Sequence, residues 1–211
     1  MKLVVIIVLI LICFGCNHTS ENKSDEPKSN RLELIPEPDK KEREKYLRRK
    51  TLINFLENPI DLQQYKSVKN KTVTTGVING MNYYFHPQIN DSIFYQYNYL
   101  NGWRPYPIAQ IIVFKNGKNK HTYKDETETL IELKVFRKDN DLQQANLIGL
   151  TKTELELKFG TDYLNHNNEI AYSNENKVLI LTLDSSKVRS YRYIKLDTNI
   201  INTDLIGRIM E

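Results

Sequence analysis

Apolar and polar positions alternate with different periods along the chain, and the changes of period mark its elements. Leu3 to Phe14 is an unbroken apolar run of twelve residues behind one charge, Lys2. Residues 17–38 are polar and carry Pro27, Pro36 and Pro38, the pattern of a flexible linker. Asp39-Lys40-Lys41-Glu42 has the spacing of a capping box. A helix is predicted from about Lys40 to Glu57, with Tyr46, Leu52, Ile53, Phe55 and Leu56 on its apolar side, mostly in its second half, and Asn58-Pro59 as its stop. From Thr72 the period shortens to two. Thr72 to Ile78 and Met81 to His86 flank Asn79-Gly80, which predicts a hairpin. Ile93 to Leu100 places Tyr95, Tyr97 and Tyr99 on one face of a strand. After a turn at Asn101-Gly102, Ile108 to Phe114 and Leu130 to Phe136 complete an antiparallel series.

The third part is the best punctuated. Thr151 and Glu154 form a capping box, Leu150 and Leu155 are spaced for a hydrophobic staple, and Gly160 suits a helix C-terminus. They bracket a helix from about Lys152 to Phe159. Strands are expected at Glu169 to Tyr172, Val178 to Leu183 and Val188 to Leu196, with a short helix in the tail. The predicted class is α+β: antiparallel β-sheets, an N-terminal helix, and a C-terminal unit of one helix with a three-stranded meander.

The apolar start is too short for a bilayer span of about twenty residues and fits the core of a secretory signal. It ends Cys13-Phe14-Gly15-Cys16 and turns polar at once. A glycine directly before a cysteine at this place resembles the lipobox of bacterial lipoproteins, although Cys13 and Phe14 differ from that family's preferred residues. The resemblance implies cleavage before Cys16 and acyl chains on Cys16. Stable anchoring takes two or more such chains, at about 0.8 kcal/mol per buried methylene. The expected organisation is a signal peptide over 1–15, a lipidated tether over 16–38, a helix plus antiparallel β region over 39–137, and an α+β unit with its tail over 138–211. The expected location is the bacterial cell envelope, at the outer rather than the inner membrane.

Composition narrows the function. The 211 residues are 40% hydrophobic and 27% charged, enough apolar residue for a packed core. Thirty Lys plus Arg against 26 Asp plus Glu leave +4, too little to argue for nucleic-acid binding. Two cysteines exclude a disulfide scaffold, and four scattered histidines argue against a histidine-built metal site. No phosphate loop, dinucleotide fingerprint, nucleophile elbow or His-Glu-x-x-His motif occurs. No catalytic residue, cofactor or metal is therefore expected. Lys40, Lys41, Arg43, Lys45, Arg48, Arg49 and Lys50 make the first half of the long helix basic. A solvated helix face is the preferred reading, with anionic head groups or an acidic partner as the other.

Gly149-Leu150-Thr151, Leu155 and Phe159-Gly160, followed by strands, resemble a motif of the BamE/SmpA/OmlA lipoproteins and of the beta-lactamase-inhibitor-like fold. The resemblance covers about 50 residues, and Asp162 stands where that family has proline. It implies a noncatalytic envelope protein that binds other proteins at the outer membrane. Two alternatives stay open. One is an inhibitor or immunity lipoprotein against a toxin or hydrolase. The other is a glycan or small-ligand binder that uses Tyr95, Tyr97, Tyr99, Trp103 and Tyr106, a cluster for which cross-strand packing is the preferred reading.

Overall fold

Strand alternation and helix caps together account for the architecture. The computed structural model describes residues 39–100 and 106–210. The signal peptide, the tether, Cys16, the Asn101-Gly102 turn and Trp103 lie outside the described residues.

Helices α1 (Lys40–Glu57) and α2 (Leu62–Val68) come first. Strands β1 (Val73–Ile78), β2 (Ile93–Leu100), β3 (Pro107–Lys115) and β4 (Thr129–Val135) follow. A 3-10 segment (Asn140–Ala145) and α3 (Lys152–Phe159) lead into β5 (Leu164–His166), β6 (Glu169–Asn174), β7 (Lys177–Asp184) and β8 (Lys187–Lys195). Helix α4 (Thr203–Met210) ends the fold. Among the described residues the strands form one eight-stranded antiparallel sheet in the order β1-β2-β3-β4-β8-β7-β6-β5. The fold is thus α+β. Each half is a helical segment followed by a four-stranded meander, and the halves join where β4 pairs β8 from Glu132↔Ile194 to Val135↔Tyr191.

The sheet has two apolar faces. On one, the core runs from Leu52, Phe55 and Leu56 of α1 and Phe159 of α3 to Tyr97, Ile111, Leu133 and Leu179 of the strands. On the other, Phe114, Ile131, Val178, Ile180 and Ile194 lie under Tyr84 and the Leu205, Ile206 and Ile209 stripe of α4. Each fully buried side chain of this kind contributes about 1.5–3 kcal/mol.

Four expectations need correction. The proposed division at residues 137 and 138 does not separate two bodies, because Pro38–Glu211 is one compact unit. Helix α1, from the first half of the chain, packs on α3, β6 and β7 of the second. Phe55 stacks on Phe159 at 5.3 Å, and Arg49 donates to Ser173 O at 3.3 Å and Asn174 Oδ1 at 3.0 Å. The C-terminal meander has a fourth strand, β5, which pairs β6. Asp39 is the N-cap of α1, but its side chain accepts no capping hydrogen bond. The Asn79-Gly80 hairpin is absent: β1 pairs β2, and Met81 to His86 crosses to the other face of the sheet. There Phe85 N donates to Lys195 O at 2.9 Å, and Asp197 N donates to Tyr83 O at 3.0 Å. Gly80 is required by close approach, since a Cβ there would stand 2.3 Å from the Phe94 ring. The segment covers apolar strand surface that a local hairpin would leave in water.

Thr151 and Glu154 behave as their spacing predicts. Glu154 N donates to Thr151 Oγ1 at 3.2 Å, and Thr151 N donates to Glu154 Oε2 at 2.7 Å. Gly160 at the end of α3 has φ of 88°, a conformation that disfavours any residue with a Cβ.

Candidate interaction site

Strand β2 turns Tyr95, Tyr97 and Tyr99 toward the helices, where all three are buried. They are core and not a surface. Alternation put them on one face, and α2 with the loop after β3 covers that face. Their hydroxyls join an ionic network. Tyr97 OH donates to Glu128 Oε2 at 2.5 Å, and Lys115 Nζ donates to Tyr97 OH at 3.1 Å and to Thr122 O at 2.6 Å. Lys66 Nζ donates to Asp125 O at 2.9 Å and pairs with Glu128 Oε1. Tyr123 OH donates to the Lys66 carbonyl at 2.8 Å and lies 3.4 Å from Tyr99 OH. Burial pulls the Lys115 ammonium below its usual range, and Glu128 and Asp125 offset this only in part. Burial pushes the Tyr97 and Tyr99 phenols up, and the Glu128 carboxylate beside Tyr97 and the Tyr123 hydroxyl beside Tyr99 add to the rise. Asp125 is held below the usual carboxylate range: burial opposes this, but two hydrogen bonds from Thr127 and the Lys115 and Lys66 charges outweigh it. The network locks the loop after β3 onto the sheet. It is enclosed, so it is scaffold.

Tyr106 is the described member of the cluster that does reach solvent, with 68% of its surface exposed. It stands at the entry to β3, beside a cavity of about 540 Å³ lined by Tyr106, Pro107, Phe136, Arg137, Thr182, Arg189 and Ser190. The cavity sits at one end of the β4–β8 seam. Tyr106 and Pro107 lead β3, and Phe136 and Arg137 follow β4, with Phe136 N donating to Ile108 O at 2.9 Å. Thr182 and Ser190 are register partners on β7 and β8. The register shifts there, from Thr182↔Ser190 to Leu183↔Val188, which leaves Arg189 as an extra residue. Such a bulge re-aims a side chain, and here Arg189 and its neighbour Ser190 line the same cavity.

A second groove, about 580 Å³, runs between the start of α1 and the end of α3. Lys41, Lys45, Arg48 and Arg49 line it together with Glu42 and Glu44. Its cations are partly engaged: Arg48 pairs Glu44 at 3.5 Å, and Arg49 is bonded to the β6 end. The first two turns of α1 are exposed, as a solvated face requires.

The structure therefore brings Tyr106 to a site that the pattern of the chain did not reveal. Phe136, Arg137, Thr182, Arg189 and Ser190 belong to that site and were missed. Arg137 and Arg189 lie 52 positions apart and meet only through the strand order, so no local motif could announce them. Among the described residues, no group of three or more His, Cys, Asp or Glu side chains is placed to hold a metal ion. Comparison with known protein families, with curated proteins and with solved structures finds no match for the chain.

Proposed function

We propose that the chain is a noncatalytic cell-envelope lipoprotein, anchored through acyl chains on Cys16, whose folded domain binds another protein at the outer membrane. The observation that carries this reading is the seam-end site. There an exposed tyrosine, an exposed phenylalanine and two arginines surround a cavity that both halves of the sheet build. Tyrosine and arginine are the residue types that dominate protein–protein binding energy. The resemblance of the Gly149 to Gly160 unit to BamE-type lipoproteins supports the same class. The polar stretch over 17–38 supports a tether between lipid and domain.

The experiment has two parts. Metabolic labelling with a palmitate analogue should mark the full-length chain and should fail on Cys16→Ala. A photocrosslinking residue at Tyr106 should capture a defined envelope protein from intact cells, and one at exposed Lys118, beyond the opposite end of β3, should not. Capture of barrel-assembly components by the lipidated form alone supports outer-membrane assembly. One stoichiometric toxin or hydrolase captured by both lipidated and Cys16→Ala forms supports the inhibitor or immunity reading. Identical adducts from Tyr106 and Lys118 overturn the seam-end site as a protein interface.

A further inference from the structure

We infer that the seam-end cavity is a carboxylate receptor. It takes an acidic side chain of the protein partner, presented beside an apolar one. This rests on the protein-binding reading above and names the chemistry of the contact.

The charges on this side of the sheet show why. Glu132, fully buried, is used by Arg192 Nε and by Lys134 at 3.4 Å, and it also accepts from Tyr84 OH at 2.9 Å. Glu169 accepts from Thr182 Oγ1 at 3.2 Å. The neighbouring acids are thus engaged, and none lines the cavity. Arg137 and Arg189 form no ion pair among the described residues, whereas Arg192, one strand residue beyond Tyr191, pairs with Glu132. Arg137 Nη1 is buried and has no hydrogen-bond partner among the described residues. A buried guanidinium N–H without an acceptor is costly, so the arrangement favours a ligand that brings one.

The donor set specifies that ligand. Two guanidinium groups and the hydroxyl of Ser190 offer donors to an acceptor-rich group, while the Thr182 hydroxyl already donates to Glu169. A planar carboxylate matches the guanidinium fork with two parallel hydrogen bonds. Phe136 and Tyr106 then supply apolar walls for the residue next to it. Their own exposure, 42% and 68%, points to a protein as the source. A small carboxylic acid would leave both rings in water, whereas a protein surface covers them. The bulge at Arg189 fits this use, since it adds a second cation to a strand position that plain alternation would give to Ser190 alone.

The test uses the full chain in detergent and a fluorescein-labelled peptide, Gly-Tyr-Glu-Glu-Phe-Gly, with Gly-Tyr-Gln-Gln-Phe-Gly as its neutral twin. Binding is read by anisotropy at low and moderate salt. The acidic peptide should bind at least tenfold tighter than the neutral one. Arg189→Gln and Arg137→Gln should each remove most of that difference. Arg189 is exposed, so its variant keeps the test valid should Arg137→Gln fail to fold. Tyr106→Ser should weaken both peptides by a similar factor. Equal binding of the two peptides, no binding at millimolar peptide, or an unchanged ratio in Arg189→Gln overturns the inference. Displacement of the peptide by equimolar glucuronate or phosphate also overturns it, and assigns the cavity to a small anion. The two proposals fail separately. If Arg189→Gln keeps the Tyr106 crosslink in cells, protein binding stands and the carboxylate contact falls. If the peptide binds and no cellular adduct forms, the receptor chemistry stands and the envelope partner falls.

Discussion

Raising the pH should unfold this domain through its buried tyrosines, at a cost that can be worked out from the structure. Tyr65, Tyr84, Tyr97, Tyr99, Tyr172, Tyr191 and Tyr193 are each at most 3% exposed. All seven phenols are pushed above their ordinary value of 10.0, with burial the leading cause in every case. Nearby carboxylates add to the rise, Asp139 at Tyr65 and Glu132 at Tyr84. The sign follows from proton counting. Above pH 10 the unfolded chain loses phenolic protons that the folded chain keeps, so stability falls as pH rises. At pH 11 each tyrosine that stays protonated only when folded costs about 1.4 kcal/mol, so the seven together cost about 10 kcal/mol. That matches the whole stability of a typical domain, about 5–15 kcal/mol. The lysines act in both directions. Lys115 and Lys195 are lowered by burial and favour folding as pH rises. Lys69 and Lys177 are raised despite burial, by Asp139 and Asp141 and by Glu57 and Glu175, and do the opposite. Tyrosinate absorbance and far-ultraviolet circular dichroism should be followed together from pH 8 upward. The buried phenols should appear in one step with loss of the circular dichroism signal, near pH 11. Smooth ionisation of these seven phenols around pH 10 with secondary structure intact would refute the reasoning.

Other perturbations test separate parts of the fold. Glu128→Ala leaves Lys66 and Lys115 buried without their shared carboxylate, and should cost about 3–5 kcal/mol by urea denaturation. Thr151→Ala removes the cap of α3 and should cost about 1 kcal/mol in the same assay. Ile206→Ala opens a cavity between α4 and the sheet, and should cost about 2–5 kcal/mol, with hydrogen exchange rising first in residues 203–210.

The sequence was readable where a signal is local. Helix α3 carries its start and stop within ten residues, and both are where the spacing put them. Strands β6, β7 and β8 follow from apolar runs between short polar turns. The tyrosine alternation of β2 was equally plain, yet alternation specifies a common face without saying what covers it. Burial of Tyr97 depends on Lys66, Tyr123 and Glu128, which come from two other segments. Asn79-Gly80 failed for the same reason. Its local hairpin signal lost to the ladder between β1 and β2 and to the distant surface of β8 that Tyr83 to Phe85 covers. The seam-end site was hidden because it depends on strand order and on one bulge, neither of which has a local pattern.

The strand order has a consequence for the two halves of the chain. Residues 39–137 contain α1 and the meander β1 to β4, and residues 138–211 contain α3, β5 to β8 and α4, so each looks like a small α+β domain. The packing contradicts that appearance. Without β8, β4 presents an unpaired edge, and Leu133 and Val135, fully buried in the whole chain, lose their neighbours Tyr193 and Tyr191. Without α1, Phe159 loses Phe55, and Lys177 loses Glu57, with which it pairs at 2.8 Å. Tyr191 OH donates to Ala145 O, while Tyr65 OH donates at 3.1 Å to Asp139, so the 3-10 segment is held from both sides. Each half therefore buries too little by itself and exposes a long apolar strand edge, which invites aggregation. The two fragments should each lack a cooperative thermal transition and dispersed amide resonances, and should regain both when mixed. A cooperative transition in either fragment alone would contradict this packing. It would also separate the seam-end site, which needs Arg137 from one half and Arg189 from the other, from the unit that stabilises the fold.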